Sequence, residues 1–253
     1  MRPIRPSFPG LSRRVPLLAG ALLLALPAAA TAQDGFLFRP PMAGITVRAG
    51  PMMHTAGGDL FGQLRRDLTL DRQHLATAVL GVDVVVLPTA RVDLVFSIAH
   101  ARASHLSEFR DFVDQDDLPI EQTTRLTTTP ASITVRYQLR ERGRRLGQTA
   151  WVPSATTPYI GGGAGIIQYR LEHWGEFIDF QDYSIFHSSF ATMGHETTLH
   201  VLAGADHWLS PRVGLNAEAR YTRGSARPDD GFRSFRDLDL GGLQATVGLT
   251  FRW

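Results

Sequence analysis

Residues 243–253 read LQATVGLTFRW. Leu243, Ala245, Val247, Leu249, Phe251 and Trp253 are apolar, while Gln244, Thr246, Gly248, Thr250 and Arg252 between them are polar or lack a side chain. A strict period of two places these sets on opposite faces of a strand, one apolar and one polar. The same alternation recurs upstream. Val213, Leu215, Ala217, Ala219 and Tyr221 alternate with Gly214, Asn216, Glu218, Arg220 and Thr222. Ser210-Pro211 turns this strand back on one running from about Thr197 to Leu209, where Leu199, Val201, Ala203 and Ala205 oppose His200, Gly204 and Asp206.

Earlier strands follow the same rule. A first spans Ala43 to Met52, a second Leu75 to Leu87 and a third Arg91 to about Arg102, the last two joined by the tight connection Pro88-Thr89-Ala90. A fourth runs through Thr123 to Arg140, and a fifth starts at Pro158 with Tyr159, Ile167, Tyr169 and Leu171 in one phase. Gly161, Gly162, Gly163 and Gly165 in that strand imply strong curvature or a side chain lying flat on the backbone. No helix pattern or Lys-Ser/Thr follows them, so they are not a phosphate loop.

The count is eight strands joined alternately by long and short connections. Long ones follow the first, third, fifth and seventh strands (54–74, 104–121, 173–194 and 223–239), and shorter ones follow the second, fourth and sixth. The connection Glu141 to Thr157 is long for a short-turn side. Strands of about ten residues tilted by about 40° cover an apolar band of about 25 Å. The reading is all-β: an eight-stranded antiparallel up-and-down transmembrane β-barrel, with short turns on the periplasmic side and four loops outside.

Alternation alone also fits a soluble lipocalin-like binder turned inside out, with its apolar face around a ligand. The apolar face favours lipid, because it carries small and medium side chains and no charge. On that choice the lumen holds Arg48, Asp83, Asp93, Arg136, Arg170, Asp206, Glu218, Arg220 and Arg252. So narrow an interior forces them to pair, Glu218 with a neighbouring-strand arginine being the first candidate. Tyr159, Tyr169, Trp208, Tyr221, Phe251 and Trp253 fall near the band's edges, where aromatic rings lie at headgroup level.

The N-terminus agrees with export. Arg2, Arg5, Arg13 and Arg14 precede an apolar run from Val15 to Leu26, and Ala30-Thr31-Ala32 offers a small-residue cleavage site. Residues 1–32 therefore read as a cleaved signal peptide and residues 33–253 as one barrel domain. No later apolar run is long enough to span as a helix, so a membrane form of the mature chain is a barrel. All 26 basic residues are arginine. Four of them lie in the signal peptide, leaving 22 against 24 acidic residues, so no nucleic-acid partner is implied. With no cysteine, an exported chain relies on burial and a closed hydrogen-bond network.

The C-terminal stretch resembles the assembly signal of bacterial outer-membrane β-barrels, in which a polar residue, a glycine, a hydrophobic residue and a terminal aromatic recur at fixed spacing. The matching residues are Thr246, Gly248, Phe251 and Trp253. The mature chain as a whole is similar to the small OmpA-, OmpX- and OmpW-like barrel domains. That resemblance implies a Gram-negative outer membrane, recognition by the barrel-assembly machinery, contact with outer-membrane lipid and lipopolysaccharide, and a monomer. It implies a structural or surface-interaction role without a wide pore. The alternative is an OmpW-like conduit for small apolar molecules, with an apolar pocket at the outer mouth opening sideways between strands.

Some barrels of this size modify lipid A, so catalytic residues deserve a search. His187, Ser188 and Ser189 lie near His195 and Glu196, but the known deacylases carry a His-x-Ser pair on a lipid-facing strand, and this group falls in a loop beside Phe186 and Phe190. The expectation is no enzyme. Glu108, Asp111, Asp114, Asp116 and Asp117 around Arg110 lack an EF-hand pattern and read as a solvated acidic loop. His100, His105, His173 and His200 do not recur at zinc-ligand spacing, so neither a metal nor a cofactor is expected.

Overall fold

Apolar side chains pointing out and polar ones pointing in oblige a sheet to close, because an open edge in lipid leaves a row of N–H and C=O groups unpaired. The computed structural model describes residues 35–253 apart from 115, 180, 183, 229–231, 233 and 234. The signal peptide expected at residues 1–32 lies outside the described residues. In chain order the elements are β1 (Ala43–His54), helix α1 (Gly58–Asp67), a 3-10 turn (Arg72–Leu75), β2 (Ala76–Val86), β3 (Val92–Val113), β4 (Pro119–Gln138), the small strands β5 (Gly143–Leu146) and β6 (Ala150–Pro153), β7 (Thr156–Ile178), β8 (Ile185–Trp208), β9 (Val213–Arg223), the two-residue strands β10 (Ser225–Ala226) and β11 (Leu238–Asp239), and β12 (Gly242–Arg252).

The large strands form a closed antiparallel ring in the order β1-β12-β9-β8-β7-β4-β3-β2, with β1 and β2 completing it. Closure at the β1–β12 seam runs in register from Gly44↔Arg252 to Ala49↔Val247 and resumes at Met52↔Gln244. Val47, Leu80, Val84, Ile98, Ile133, Val135, Leu199, Val201, Leu215 and Val247 face outward and are 37–69% exposed. Between them Thr46, Arg48, Asp83, Thr134, Arg136, Asn216, Glu218 and Thr246 face inward and are buried.

Two sequence expectations about the loops are corrected. Residues 104–121 and 173–194 are mostly strand: β3 pairs with β4 out to Glu108↔Glu121, and β7 pairs with β8 out to Ile178↔Ile185. At about 3.3 Å per residue and a tilt of about 40°, a strand of 22 residues rises roughly 55 Å, about twice an apolar band of ~25 Å. Four adjacent strands thus stand above the ring as a curved wall, while β1, β2, β9 and β12 stop after 11 or 12 residues. The second correction is the polar segment 54–74, which contains α1. Leu60, Phe61 and Leu64 share one buried side of that helix. Gly58 enters it at φ +82°, beside the carbonyl of Asp237, in the left-handed region that favours glycine. The long connection 141–157 holds the β5–β6 hairpin, whose Trp151 forms an antiparallel bridge with Leu37 under the barrel.

Candidate functional site

The lumen has two storeys. The lower one, within the apolar belt, is polar. Arg48 Nε donates to both oxygens of Asp83, at 3.1 and 3.0 Å. Arg136 Nη2 reaches Asp83 at 3.5 Å and donates to Glu218 Oε2 at 2.7 Å. Arg220 Nε donates to Glu218 Oε1 at 3.1 Å. Tyr159 donates its phenol to Glu218 at 3.1 Å, accepts from Asn216 Nδ2 at 2.8 Å and lies 4.7 Å under the Arg136 guanidinium. Asn216 Nδ2 also donates to Asp206 at 2.7 Å. The partner of Glu218 therefore comes from β4, across the lumen, as well as from its own strand. In an eight-stranded ring the far wall is within reach of an arginine.

Below this network the mouth is stoppered. The Arg252 guanidinium stacks 3.2 Å over the Trp208 ring, and its Nε donates to the carbonyl of Pro211 at 2.9 Å. Arg142, immediately before β5, pairs with Asp93 and donates to the carbonyl of Thr89. Gln138 Nε2 donates to the other Asp93 oxygen at 2.7 Å. Two cavities among these side chains measure only about 20 and 30 Å³. Each has room for about one water.

The upper storey is apolar. Leu60, Phe61 and Leu64 of α1 pack with Phe232, Leu238 and Leu240 against Ala103, Leu126, Ile167, Tyr169 and Leu171 of the wall. Asp59 fixes the helix by accepting from the amides of Arg236 at 2.7 Å and Asp237 at 2.8 Å. The Arg236 amide in particular holds the Asp59 carboxyl below its ordinary range.

This second storey explains one misplaced charge. Arg48, Asp83, Asp93, Arg136, Asp206, Glu218, Arg220 and Arg252 are all buried at the lumen. Arg170 is not: its side chain is 51% exposed on the outside of the wall, paired with Glu172 at 3.0 Å. The phase of β7 is the reverse of the sequence reading. Tyr159, Ile167, Tyr169 and Leu171 all point inward: Tyr159 joins the polar network of the lower storey, and the other three pack in the apolar upper storey. Tyr159, Tyr169 and Trp208 therefore do not lie at the lipid headgroups, whereas Tyr221 (46% exposed) and Trp253 (57%) face out. Thr246 is buried at the lumen, Gly248 lies against the β1 backbone, and the Phe251 and Trp253 rings stack at 6.0 Å. The inward glycines of β7 leave no room for a Cβ: at Gly161 it would sit 2.6 Å from the Val135 carbonyl oxygen, at Gly165 2.7 Å from Ser132 Cβ.

Sequence reasoning missed Arg142 and α1 and put Tyr159 on the wrong face, while Asn216 lies on the polar face read for its strand. For α1 the Leu60, Phe61 and Leu64 spacing offered a signal. The candidate catalytic group is dispersed along β8: His187 is exposed with the Glu176 carboxylate 3.6 Å away. The acidic segment forms a hairpin tip in which Asp114 Oδ1 accepts from the amides of Asp116 and Leu118, both at 2.8 Å. Among the described residues no group of three or more His, Asp or Glu is arranged to hold a metal ion.

Above the belt the wall buries His173, whose ring nitrogens lie 3.0 Å from Thr124 Oγ1 and 2.9 Å from Gln122 Oε1. Burial lowers its pKa from 6.5 to about 4. The unfolded chain takes up this proton below pH 6.5 and the folded wall does not, so stability is complete above 6.5 and falls as pH drops toward 4. Each pH unit in that window is expected to cost about 1.4 kcal/mol. Protection factors of the wall amides at pH 7 and pH 5, corrected for the intrinsic pH dependence of exchange, check this, and His173→Gln should flatten the difference.

A closed ring of eight antiparallel strands with charges inside and aliphatic side chains outside is a transmembrane β-barrel of the outer-membrane type. Among solved structures it is similar to the outer-membrane protein OprG from Pseudomonas aeruginosa, at 14% identity over 86% of this chain and 99% of that one, with a TM-score of 0.49. Neisserial surface protein A is similar at 11% identity over 87% and 98% of the two chains, TM-score 0.44. So is Ail, the attachment invasion locus protein of Yersinia pestis, at 14% over 84% and 100%, TM-score 0.40. No family model and no curated protein sequence matches the chain.

Proposed function

We propose that this chain is a sealed outer-membrane barrel of a Gram-negative envelope that works through its outer wall and conducts nothing through its lumen. The observation that carries the reading is the double filling of the lumen. A conduit for small apolar molecules needs the upper apolar volume free, and Leu60, Phe61 and Leu64 occupy it. The lower storey is occupied by paired charges, and the mouth by Arg252 on Trp208. The wall offers working surface instead. A groove of about 490 Å³ on it brings Leu106, Leu118 and Trp174 beside Glu121 and Glu176.

In this reading residues 1–32 direct export, the assembly machinery recognises Thr246, Gly248, Phe251 and Trp253, and the monomer sits among outer-membrane lipid and lipopolysaccharide. No residue is assigned a catalytic role. Planar-bilayer recording of the refolded chain tests the sealed lumen. Wild-type protein is expected to leave the bilayer silent, and reproducible single-channel steps at neutral pH would overturn the reading.

A further inference from the structure

We propose that the outward face of β3, β4 and β7, at the top of the apolar belt, is a binding site for the lipid A moiety of lipopolysaccharide. This rests on the outer-membrane reading and names the partner of one face. The argument follows the register upward. In the belt, Phe96, Ile133 and Ala164 form one cross-strand row and Ile98, Ala131 and Ile166 the next. Small Ala131 and Ala164 between bulky neighbours leave an apolar depression of about 670 Å³, banked on its far side by Val82 and Val84. In a membrane such a depression receives an acyl chain.

Four residues further along β3 and β7 the same face changes character. Arg102, Thr127 and Arg170 form one row, and Ser104, Arg125 and Glu172 the next. Arg102 and Arg170 stand two strands apart, about 10 Å, and roughly 10 Å above the Ile98 row along the membrane normal. Arg125 lies 4.5 Å over the Trp174 ring and 3.5 Å from Glu172, which also pairs with Arg170. Among the described residues Arg102 has no carboxylate partner. Three guanidiniums against one carboxylate thus stand at headgroup height in the outer leaflet, directly over an acyl groove. Guanidinium forks match phosphate oxygens, and the outer-leaflet lipid that carries phosphates above its chains is lipid A.

The test uses the full chain folded in dodecyl maltoside, with bisphosphorylated lipid A as probe and retained lipid counted by native mass spectrometry. One lipid A per chain is expected to be retained. Arg102→Gln with Arg170→Gln should lower retention by at least about ten-fold, since two charge-assisted contacts are lost. Ala131→Phe with Ala164→Phe, which fills the groove, should lower it comparably, and Glu172→Gln should raise it. Equal retention by wild type and both double variants overturns the proposal. So does equal retention of phosphatidylglycerol, which marks a general anionic-lipid surface. A heat-dependent gel shift of the same samples reports the barrel separately: shift without lipid A overturns only this site, whereas no shift overturns the outer-membrane reading beneath it.

Discussion

Glu218→Ala is expected to destabilise the barrel by about 3–5 kcal/mol, the cost of breaking a buried ion pair by removing one partner. Glu218 is 4% exposed and accepts from Arg136, Arg220 and the Tyr159 phenol. Its loss strands two guanidiniums. Arg136 keeps the longer contact to Asp83 at 3.5 Å and the face of the Tyr159 ring, and Arg220 keeps the 3.4 Å contact to Ser132. Neither can move to water, because the lumen is closed above and below. Urea titration of the protein in lipid vesicles, followed by the heat-dependent gel shift, measures the loss. A double variant, Glu218→Leu with Arg220→Met, should recover much of it, since removing charge and countercharge together leaves fewer unpaired groups. If the single variant unfolds with the wild type, the network contributes no stability.

Phe61→Ala should cost about 3–5 kcal/mol, but only in the upper storey. Phe61 is fully buried at the centre of the cluster joining α1 to the wall. The helix has ten residues and one apolar side, so on its own it is marginal in water. Packing holds it in place, and the substitution leaves a cavity that its neighbours cannot close. Trypsin should then cut at Arg65 and Arg66 in the assembled barrel, while amide exchange across the β1–β12 ladder stays slow. Resistance of the variant to trypsin would show that the helix does not depend on this ring.

The sequence made the belt legible and left the wall and plug obscure, for one physical reason. Inside lipid the outer environment is apolar and the inner one polar, so alternation reads cleanly in Leu243 to Trp253 and in Val213 to Thr222. Above lipid the environments exchange. In β7 the inward residues become Ile167, Tyr169 and Leu171 and the outward ones Gln168, Arg170 and Glu172. Alternation persists there with its sign reversed, and a single sign applied to the whole strand sends Arg170 to the wrong side. Further out the inward positions mix threonine, histidine and phenylalanine, as at Thr124, His173 and Phe177, and the pattern fades into loop-like composition. Arg142 gave no signal at all, since its place in Arg-Glu-Arg-Gly resembles any solvated turn. Its role exists only once Asp93 is brought beside it.

The carboxylate of Asp59 belongs to the first outer connection, and the amides it holds, those of Arg236 and Asp237, belong to the last. These connections flank the seam where β1 meets β12, and Thr55 donates to the carbonyl of Gly241 at 3.0 Å just above it. The seam that joins the first and last strands of the ring is therefore latched above the apolar belt by contacts between two loops. Parting the two strands sideways would have to break these charge-assisted bonds as well as the ladder between them.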